Sequence, residues 1–439
     1  MSMGTETGSP GPQHRRNMSV KAMRPRRSTK GPLDAPDDLP NISSDSESLS
    51  RSRLTSPSGK EIENLAMGKN FSYLLRQEIY HPLTQLNIPP AFRSEFLNPR
   101  EDEPLSSSLA LLNNLLKEGH FLLAAHFAAS ILTSSLISPN DHASIFHLLY
   151  IRLACLELTG NTILAAQEVK ALEDLSSVFY YVDVDLEAAG SGRPLGRGQN
   201  IVPWPLRVLA VRLQSIGFGD TRRGITGLYE LGLEARRQLQ RPEISQEEQA
   251  EWRERLADLG LRVVNALIEM GDFDTARRTL ASMKPPAKDN KNEVVRMALL
   301  NFRIGDIEAA RELVDTLSNP NREILRPLLS MAEGRFSEAI TEWEAIRDKG
   351  QSKNDEAMII QNLAVCLLYV GKLSESRQLL ESLIEQHNSF QSLTFNLATI
   401  YELCSENSNA LKLELTEKIS RHPPSNYSNR ERPNTNFKI

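Results

Sequence analysis

The residues from Gln361 to Leu380 read QNLAVCLLYVGKLSESRQLL, and those from Thr394 to Leu413 read TFNLATIYELCSENSNALKL. Apolar residues recur every three or four positions in both stretches, which is typical of amphipathic helices, and a glycine or a serine marks the turn within each. Ala364 and Ala398 occupy matching places 34 residues apart. A fixed spacing between two helical hairpins predicts an array of repeated units, each of which buries its apolar face against the next.

The same hairpin pattern extends through most of the chain. A turn residue is usually followed two positions later by a large apolar residue and five positions later by a small one, as in Gly271, Phe273 and Ala276. The turn glycine closes the first helix in a left-handed conformation, and the small residue lets neighbouring helices cross closely. Other copies have their turn residue at Gly119, Gly160, Gly219, Gly305, Gly334, Gly371 and Ser405, and their small residue at Ala124, Ala165, Gly224, Ala310, Ala339, Ser376 and Ala410. The sequence therefore predicts an all-α solenoid of about eight helical hairpins.

This pattern resembles the tetratricopeptide-repeat family from about residue 105 to residue 421. The period of 34 residues and the offsets of the large residues, alanines and glycines carry the resemblance. It implies a tetratricopeptide-like α-solenoid. Such repeats serve many unrelated assemblies, so the resemblance indicates the fold more strongly than the function.

Composition divides the chain into six parts. Residues 1–67 are rich in Ser, Pro and Arg and poor in aromatic residues, which predicts a disordered tail. Either its serines are phosphorylated, or the tail is solvated and has no specific partner. Residues 68–104 form a short apolar docking segment, for which the chain's own array and a partner protein are equally plausible targets. The remaining parts are the N-terminal helical repeats in 105–184, a Gly/Arg-rich linker in 185–203, the C-terminal repeat array in 204–421 and a flexible tail in 422–439.

Charge and cysteine usage argue against several classes of protein. A formal net charge of −5 gives no overall attraction to nucleic acid. The longest apolar run, Leu363–Val370, is too short to cross a bilayer, and no apolar segment follows the basic N terminus as in a secretory signal. Cys155, Cys366 and Cys404 are far apart in apolar helical surroundings, which predicts reduced core residues in a cytoplasmic protein.

No catalytic or metal-binding motif is evident. The glycine-rich stretch Gly190–Gly198 lacks the Gly-Lys-Ser/Thr ending of a phosphate-binding loop. His120 and His126 are six residues apart and His142 and His147 five apart, so neither pair has the spacing of a helical metal site. The expectation is a protein that is not an enzyme, with no cofactor, no metal and no direct small-molecule ligand.

Polar residues mark a candidate binding groove in the C-terminal array. Nine positions before the turn residue, four hairpins carry Arg262, Arg296, Asn362 and Asn396, whereas a fifth carries Leu325. In tetratricopeptide repeats this position lies on the first helix, which lines the concave face. Arg and Asn there can hold the backbone or an acidic side chain of an extended peptide. Alternatively, the asparagines only satisfy neighbouring backbone groups.

Four segments together resemble the family of subunit 12 of the trafficking protein particle (TRAPP) complex, in a fungal-type form. They lie in order between about residues 202 and 403 and read IVPWPLRVLAVRLQ, EWRERLADLGLRVVNALIEMGDF, QNLAVCLLYVGKLSESRQLLESLI and SLTFNLATIYEL. The resemblance implies a non-catalytic scaffold or tethering subunit whose partners are the other TRAPP subunits and, indirectly, a Rab GTPase and vesicle or Golgi membranes. It also implies a role in nucleotide exchange, in ER-to-Golgi transport and in autophagy, at the cytoplasmic periphery of Golgi or ER–Golgi intermediate membranes.

Two other functions stay open at this stage. A tetratricopeptide adaptor that captures a chaperone or another C-terminal peptide would need a cluster of Lys and Asn on three consecutive hairpins. The candidate groove instead mixes Arg and Asn around Leu325. An enzyme whose active site is built on the loops of a helical solenoid is the third alternative.

Overall fold

A computed structural model describes residues 69–100, 103–182, 199–241, 244–283, 291–318, 321–350, 355–423 and 431. The predicted disordered tail 1–67, most of the predicted linker 185–203 and most of the predicted tail 422–439 lie outside these residues. The division of the chain into six parts therefore stays a prediction.

Sixteen α-helices within the described residues form eight consecutive hairpins, which confirms the predicted all-α solenoid. The first four hairpins are α1 Leu105–Glu118 with α2 Phe121–Leu132, α3 His142–Leu158 with α4 Thr162–Glu168, α5 Trp204–Gly217 with α6 Thr221–Leu239, and α7 Gln246–Glu269 with α8 Phe273–Ser282. The last four are α9 Lys291–Ile304 with α10 Ile307–Thr316, α11 Asn321–Ala332 with α12 Phe336–Lys349, α13 Glu356–Tyr369 with α14 Leu373–Glu385, and α15 Gln391–Cys404 with α16 Ser408–Ser420.

Short elements accompany the hairpins. Two strands of two residues each, β1 Tyr181–Val182 and β2 Gln199–Asn200, pair antiparallel. In the part of the chain that the structure describes, five short 3-10 helices are Ser72–Leu75, Gln77–Ile79, Pro90–Phe92, Val169–Leu172 and Val178–Tyr180.

The predicted turn glycines adopt the conformation that the repeat pattern requires. Seven of them have positive φ angles, from 63° at Gly219 to 86° at Gly371. Asp272 and Asp306 follow their turn glycines directly and accept a hydrogen bond from the backbone N–H three residues on, which caps the next helix. Ser245 and Glu248 form a reciprocal capping box at the start of α7. Local sequence therefore determines where most of these helices begin and end.

The last hairpin departs from the predicted register. Ser405 replaces the turn glycine and has an extended backbone, with φ at −143°, so α16 begins three residues after it, whereas α14 begins two residues after Gly371. The predicted small residue Ala410 is consequently exposed, and the assignment of Ala410 to a helix crossing was wrong. The buried positions of α16 are Lys412, Leu415, Thr416 and Ile419.

The hydrophobic core runs from one hairpin to the next. Leu206, Ala210 and Leu213 of α5 share a buried cluster with α2, α3 and α4. On the same helix, Val208 belongs to the cluster that continues through α7, α8 and α9. Helix α5 thus belongs to the core on both sides of the predicted linker. Among the cysteines, Cys155 and Cys366 are buried as expected, but Cys404 is exposed at the C-terminal end of α15.

The docking segment, here residues 69–98, packs in cis on the array. Phe71 and Leu74 are fully buried in the cluster of the first hairpins, and the Phe71 ring meets that of Phe146 on α3 edge-on, 5.2 Å between centroids. Further along, Phe92 packs on the cluster of the last two hairpins, and the short helix that contains it contacts α16. One irregular segment therefore contacts both the first and the last hairpins.

Candidate partner-binding surface

The first helices of successive hairpins lie next to one another. Helix α3 contacts α5, α7 contacts α9, and α9 contacts α11. The residues nine positions before each turn lie on these first helices. The five residues at this position are Arg262 on α7, Arg296 on α9, Leu325 on α11, Asn362 on α13 and Asn396 on α15.

The structure joins two of the predicted residues through a carboxylate that sequence reasoning missed. Arg262 Nε lies 2.5 Å from Asp258 Oδ2, and Arg296 Nη2 lies 2.8 Å from Asp258 Oδ1. The two guanidinium groups are about half exposed, and only a quarter of the Asp258 side chain is. This cluster carries one net positive charge and leaves both guanidinium groups accessible to a partner.

The two arginines also determine the protonation of Asp258. Burial disfavours the charged carboxylate, but the hydrogen bonds and charges of Arg262 and Arg296 outweigh it, and the pKa of Asp258 lies below its ordinary value. Asp258 is therefore ionised at neutral pH and fixes the two guanidinium groups in one geometry. A planar, fixed guanidinium suits recognition of a carboxylate or of backbone carbonyls.

The two predicted asparagines lie on adjacent first helices. Asn362 Nδ2 donates a hydrogen bond to the sulfur of Met358, at 3.2 Å, and a thioether is a weak acceptor. Asn396 is half-buried and lies beside Phe395, which is 38% exposed. Next to them, Ser392 Oγ donates to Gln361 Oε1 at 3.3 Å and links the two helices. Among the described residues, the side-chain partner of the Asn362 amide is therefore a thioether and not a backbone group.

The candidate groove is divided between its two pairs. Leu325 is buried at the matching position of α11, between the arginine pair and the asparagine pair. On α9, Arg303 Nη1 donates to Asn265 Oδ1 on α7 at 2.7 Å, with the same separation of 38 residues as Asp258 and Arg296. A separation of 38 residues is one repeat of 34 residues plus one helical turn of four. In the sequence, the acidic residue four positions before Arg262 is the signal that could have predicted the cluster of Asp258 with the two arginines.

In the described residues, no group of three or more His, Cys, Asp or Glu side chains is arranged to hold a metal ion. Of the helices that the structure describes, none combines the length and the apolar character needed to cross a membrane.

Comparison with known proteins finds two curated relatives. The chain is 26% identical over 255 residues to the Homo sapiens protein named trafficking protein particle complex subunit 12, a match that covers 51% of this chain and 34% of the human protein. It is also 26% identical over 255 residues to the Mus musculus protein of the same name, covering 51% of this chain and 32% of the mouse protein. The chain resembles TRAPP subunit 12.

The match covers only part of each relative, so the properties of the complete relatives do not follow from it. The matched part spans about a third of the length of each curated relative. No family model matches the chain. The similarity therefore covers only part of TRAPP subunit 12.

Proposed function

We propose that this protein is a non-catalytic scaffold or tethering subunit of a TRAPP complex. In this proposal the complex acts as a guanine-nucleotide exchange factor for a Rab GTPase, in ER-to-Golgi transport and in autophagy, and brings the protein to Golgi or ER–Golgi intermediate membranes. The repeat array binds other subunits and leaves nucleotide exchange to them. The single observation that carries the proposal is the 255-residue similarity to two proteins named TRAPP subunit 12.

The fold supplies a surface suited to this role. A solenoid of eight hairpins presents a long inner face, and extended faces of this kind bind segments of other proteins. The Arg262 and Arg296 pair offers fixed donors for an acidic or carbonyl-rich segment. The Asn362 and Asn396 pair offers amides beside the partly exposed ring of Phe395. We assign partner binding to these two pairs.

The test is affinity purification of the tagged full chain from its native cells. The wild-type chain is expected to recover a stoichiometric set of several other subunits. The double change Asn362→Ala with Asn396→Ala is expected to reduce the yield of at least one of them, since two donors of the inner face are lost. Recovery of heat-shock chaperones in place of a set of subunits would contradict the proposal and favour the peptide-capturing adaptor.

A matched control separates loss of binding from loss of fold. Asn113 and Asn114 are exposed asparagines on α1, outside the C-terminal hairpins. The change Asn113→Ala with Asn114→Ala is expected to leave every subunit in place. If the Asn362 and Asn396 variant melts at the wild-type temperature and still recovers all subunits undiminished, these residues do not bind them. The same comparison with Arg262→Ser and Arg296→Ser tests the arginine pair.

A further inference from the structure

A cluster of positive charge surrounds an exposed ring at the third hairpin. Phe218, between α5 and α6, is 52% exposed. The guanidinium carbon of Arg223 lies 3.9 Å from the centre of its ring, and the Lys170 amine lies 5.8 Å from it. Arg222 is also exposed, one residue before Arg223. We call Lys170, Phe218, Arg222 and Arg223 the basic aromatic patch.

The cations of the patch have no acidic partner in the part of the chain that the structure describes. Asp220 is close in sequence, but its carboxylate accepts hydrogen bonds from the backbone N–H groups of Arg222 and Arg223 and caps α6. Within the described ranges, no ion pair joins Lys170, Arg222 or Arg223 to a carboxylate, unlike Arg212 nearby, which pairs with Glu157 at 2.8 Å. An exposed phenylalanine among unpaired cations complements a ligand that is both acidic and apolar.

The described part of the chain begins close to this patch. Lys69 Nζ donates hydrogen bonds to the carbonyls of Phe179 and Tyr181, both at 2.6 Å. The hydroxyl of Tyr180, between them, donates to the carbonyl of Leu172 at 2.7 Å, and Leu172 follows Lys170 by two residues. Lys69, the first described residue, therefore lies near the short helix Val169–Leu172, which carries one cation of the patch.

The tail contains a stretch with the complementary chemistry. Residues 31–50 read GPLDAPDDLPNISSDSESLS and contain five acidic residues and no Lys or Arg. Leu33, Leu39 and Ile42 lie among the acids. By contrast, residues 1–30 contain seven basic residues and one acidic residue. Phosphorylation of the serines in 31–50 would add further negative charge.

The length of the connection allows contact within one chain. Glu47 and Lys69 are 22 residues apart in sequence, and a random-coil chain of 22 residues has a root-mean-square end-to-end distance of about 25 Å. Tethering at such a distance gives an effective concentration on the order of millimolar. Even a weak contact, with a Kd of about 1 mM, would then be substantially occupied in cis.

We propose that the acidic segment 31–50 of the chain's own N-terminal tail docks on the basic aromatic patch. Its carboxylates pair with Lys170, Arg222 and Arg223, and its apolar side chains cover Phe218.

Zero-length carbodiimide cross-linking of the full chain tests this docking. The reagent joins a lysine amine to a carboxylate only where the two are in contact, and mass spectrometry locates the bond. The expected product joins Lys170 to Asp34, Asp37, Asp38, Asp45 or Glu47 within one chain. It should weaken when the salt concentration is raised to about 0.5 M, because salt screens exposed charges.

Variants that keep both reacting groups distinguish docking from chance reactivity. The triple change Phe218→Ala, Arg222→Ser and Arg223→Ser leaves Lys170 and every tail acid in place and is expected to abolish the product. On the tail side, Leu39→Ser with Ile42→Ser should lower its yield without altering the array. Lys117 on α1 is an exposed lysine away from the patch and supplies the background level in each sample.

Three results would overturn the proposal. The first is a Lys170 yield no greater than that of Lys117. The second is a yield that the triple change leaves unaltered in a protein with the wild-type melting temperature. The third is a product that forms only between chains when ¹⁵N-labelled and unlabelled protein are mixed, because it would assign the patch to a second copy.

Discussion

At the scale of single residues, the most consequential interaction is a buried ion pair that the repeat pattern does not contain. Arg152 on α3 is 1% exposed, and its Nη2 lies 2.6 Å from Glu168 Oε1 on α4. The same guanidinium donates to the carbonyl of Ala125 on α2 and to that of His81 in the docking segment, both at 2.9 Å. Arg152 therefore joins two hairpins and the docking segment, and its bonds to Glu168 and Ala125 are buried.

The ion pair leads to a prediction about its two single changes. Arg152→Met removes the guanidinium group from the buried carboxylate of Glu168, and breaking a buried ion pair in this way typically costs about 3–5 kcal/mol. Replacing both partners, Arg152→Met with Glu168→Leu, removes the unpaired charge and should cost clearly less than Arg152→Met alone. Chemical denaturation, followed by circular dichroism, measures the free energies of unfolding of the wild type, the single variant and the double variant. A double variant as unstable as the single one would mean that packing around the guanidinium, and not its charge, stabilises the first hairpins.

His126 carries a second residue-scale prediction, about pH. Its ring stacks on Phe96 of the docking segment with 4.5 Å between centroids, and its Nδ1 lies 3.2 Å from the carbonyl of Leu97. Burial lowers the pKa of His126, and the nearby charge of Arg152 lowers it further, although the Leu97 carbonyl opposes this. The folded protein thus binds the proton more weakly than the unfolded chain. The stability from the neutral ring is complete above the unfolded pKa of about 6.5 and is lost as the pH falls through the folded value.

The change His126→Gln tests this pH dependence. The variant lacks the titrating ring, so its melting temperature should fall less than that of the wild type between pH 7.5 and pH 5.5. The difference between the two proteins matters, because other histidines titrate in both. If the melting temperatures of the two proteins fall by the same amount over that pH range, His126 does not contribute to the pH dependence of stability.

Residue-level prediction from the sequence succeeded where the chemistry is local. The turn glycines follow from a conformation that other residues adopt at a cost, and Gly271, Gly305 and Gly371 all adopt it. The Arg262 and Arg296 cluster was only half predicted, because the carboxylate of Asp258 belongs to it through a helical turn and not through the repeat position. Arg152 could not be predicted as buried, because its three partner residues come from three separate parts of the chain.

At the scale of elements, the small residue of each hairpin sets how closely its helices approach. Ala276, Ala310 and Ala339 are fully buried at this position, and Ser376 is buried there and donates to the carbonyl of Ala364 at 2.7 Å. The third hairpin has Gly224, and a Cβ added to it would lie 2.6 Å from Ser215 Cβ on α5. This pair of helices crosses too closely even for alanine. The hairpin with Gly219 and Gly224 matches the repeat pattern loosely because its two helices cross more closely, and not because its packing is lost.

In this hairpin, replacing glycine by alanine is expected to change stability in the direction opposite to the usual one. Gly→Ala inside a helix ordinarily stabilises by about 1 kcal/mol, but Gly224→Ala should destabilise, by about 1–3 kcal/mol, because the added methyl group overlaps Ser215. The swap Ser215→Gly with Gly224→Ala removes the overlap and should recover part of the loss. Chemical denaturation of the three proteins measures both steps. Stabilisation by Gly224→Ala alone would show that α5 and α6 are free to move apart.

Element boundaries were predictable for the same reason that the turns were. Most helices begin at a capping residue or directly after a turn glycine, so the signal lies within a few residues of the boundary. Among the second helices of the described hairpins, α16 departs from this pattern, because Ser405 supplies no left-handed turn and the buried face shifts away from Ala410. The repeat period of 34 residues cannot reveal such a shift, because it depends only on the number of residues between copies and not on the conformation of the turn.

At the scale of the whole molecule, the docking segment adds contacts that a simple repeat array lacks. In a solenoid each repeat contacts only its neighbours, so the first and last units have one open face. Here Phe96 stacks on His126 of the first hairpin, while Phe92 packs on the last two hairpins. From the other end of the chain, the carboxylate of Glu431 is buried and accepts a hydrogen bond from the Leu122 backbone N–H at the start of α2, at 2.5 Å. Sequence periodicity could not predict these contacts, because the segments that make them have no period.

This bridge between the ends predicts where a local change will be felt. Phe92→Ala removes a partly buried ring from the cluster of the last two hairpins and should cost less than the 3–5 kcal/mol or so of a fully buried phenylalanine. Because neighbours carry most of the stability of an array, the loss should appear as faster amide hydrogen exchange in α15 and α16, with α5 to α8 unchanged. Leu86→Ala is the control, since Leu86 is 77% exposed in the same segment. Unchanged protection of α16 in Phe92→Ala would show that the last hairpin is stable without the docking segment. A uniform rise across all eight hairpins would instead show that the array unfolds as a single unit.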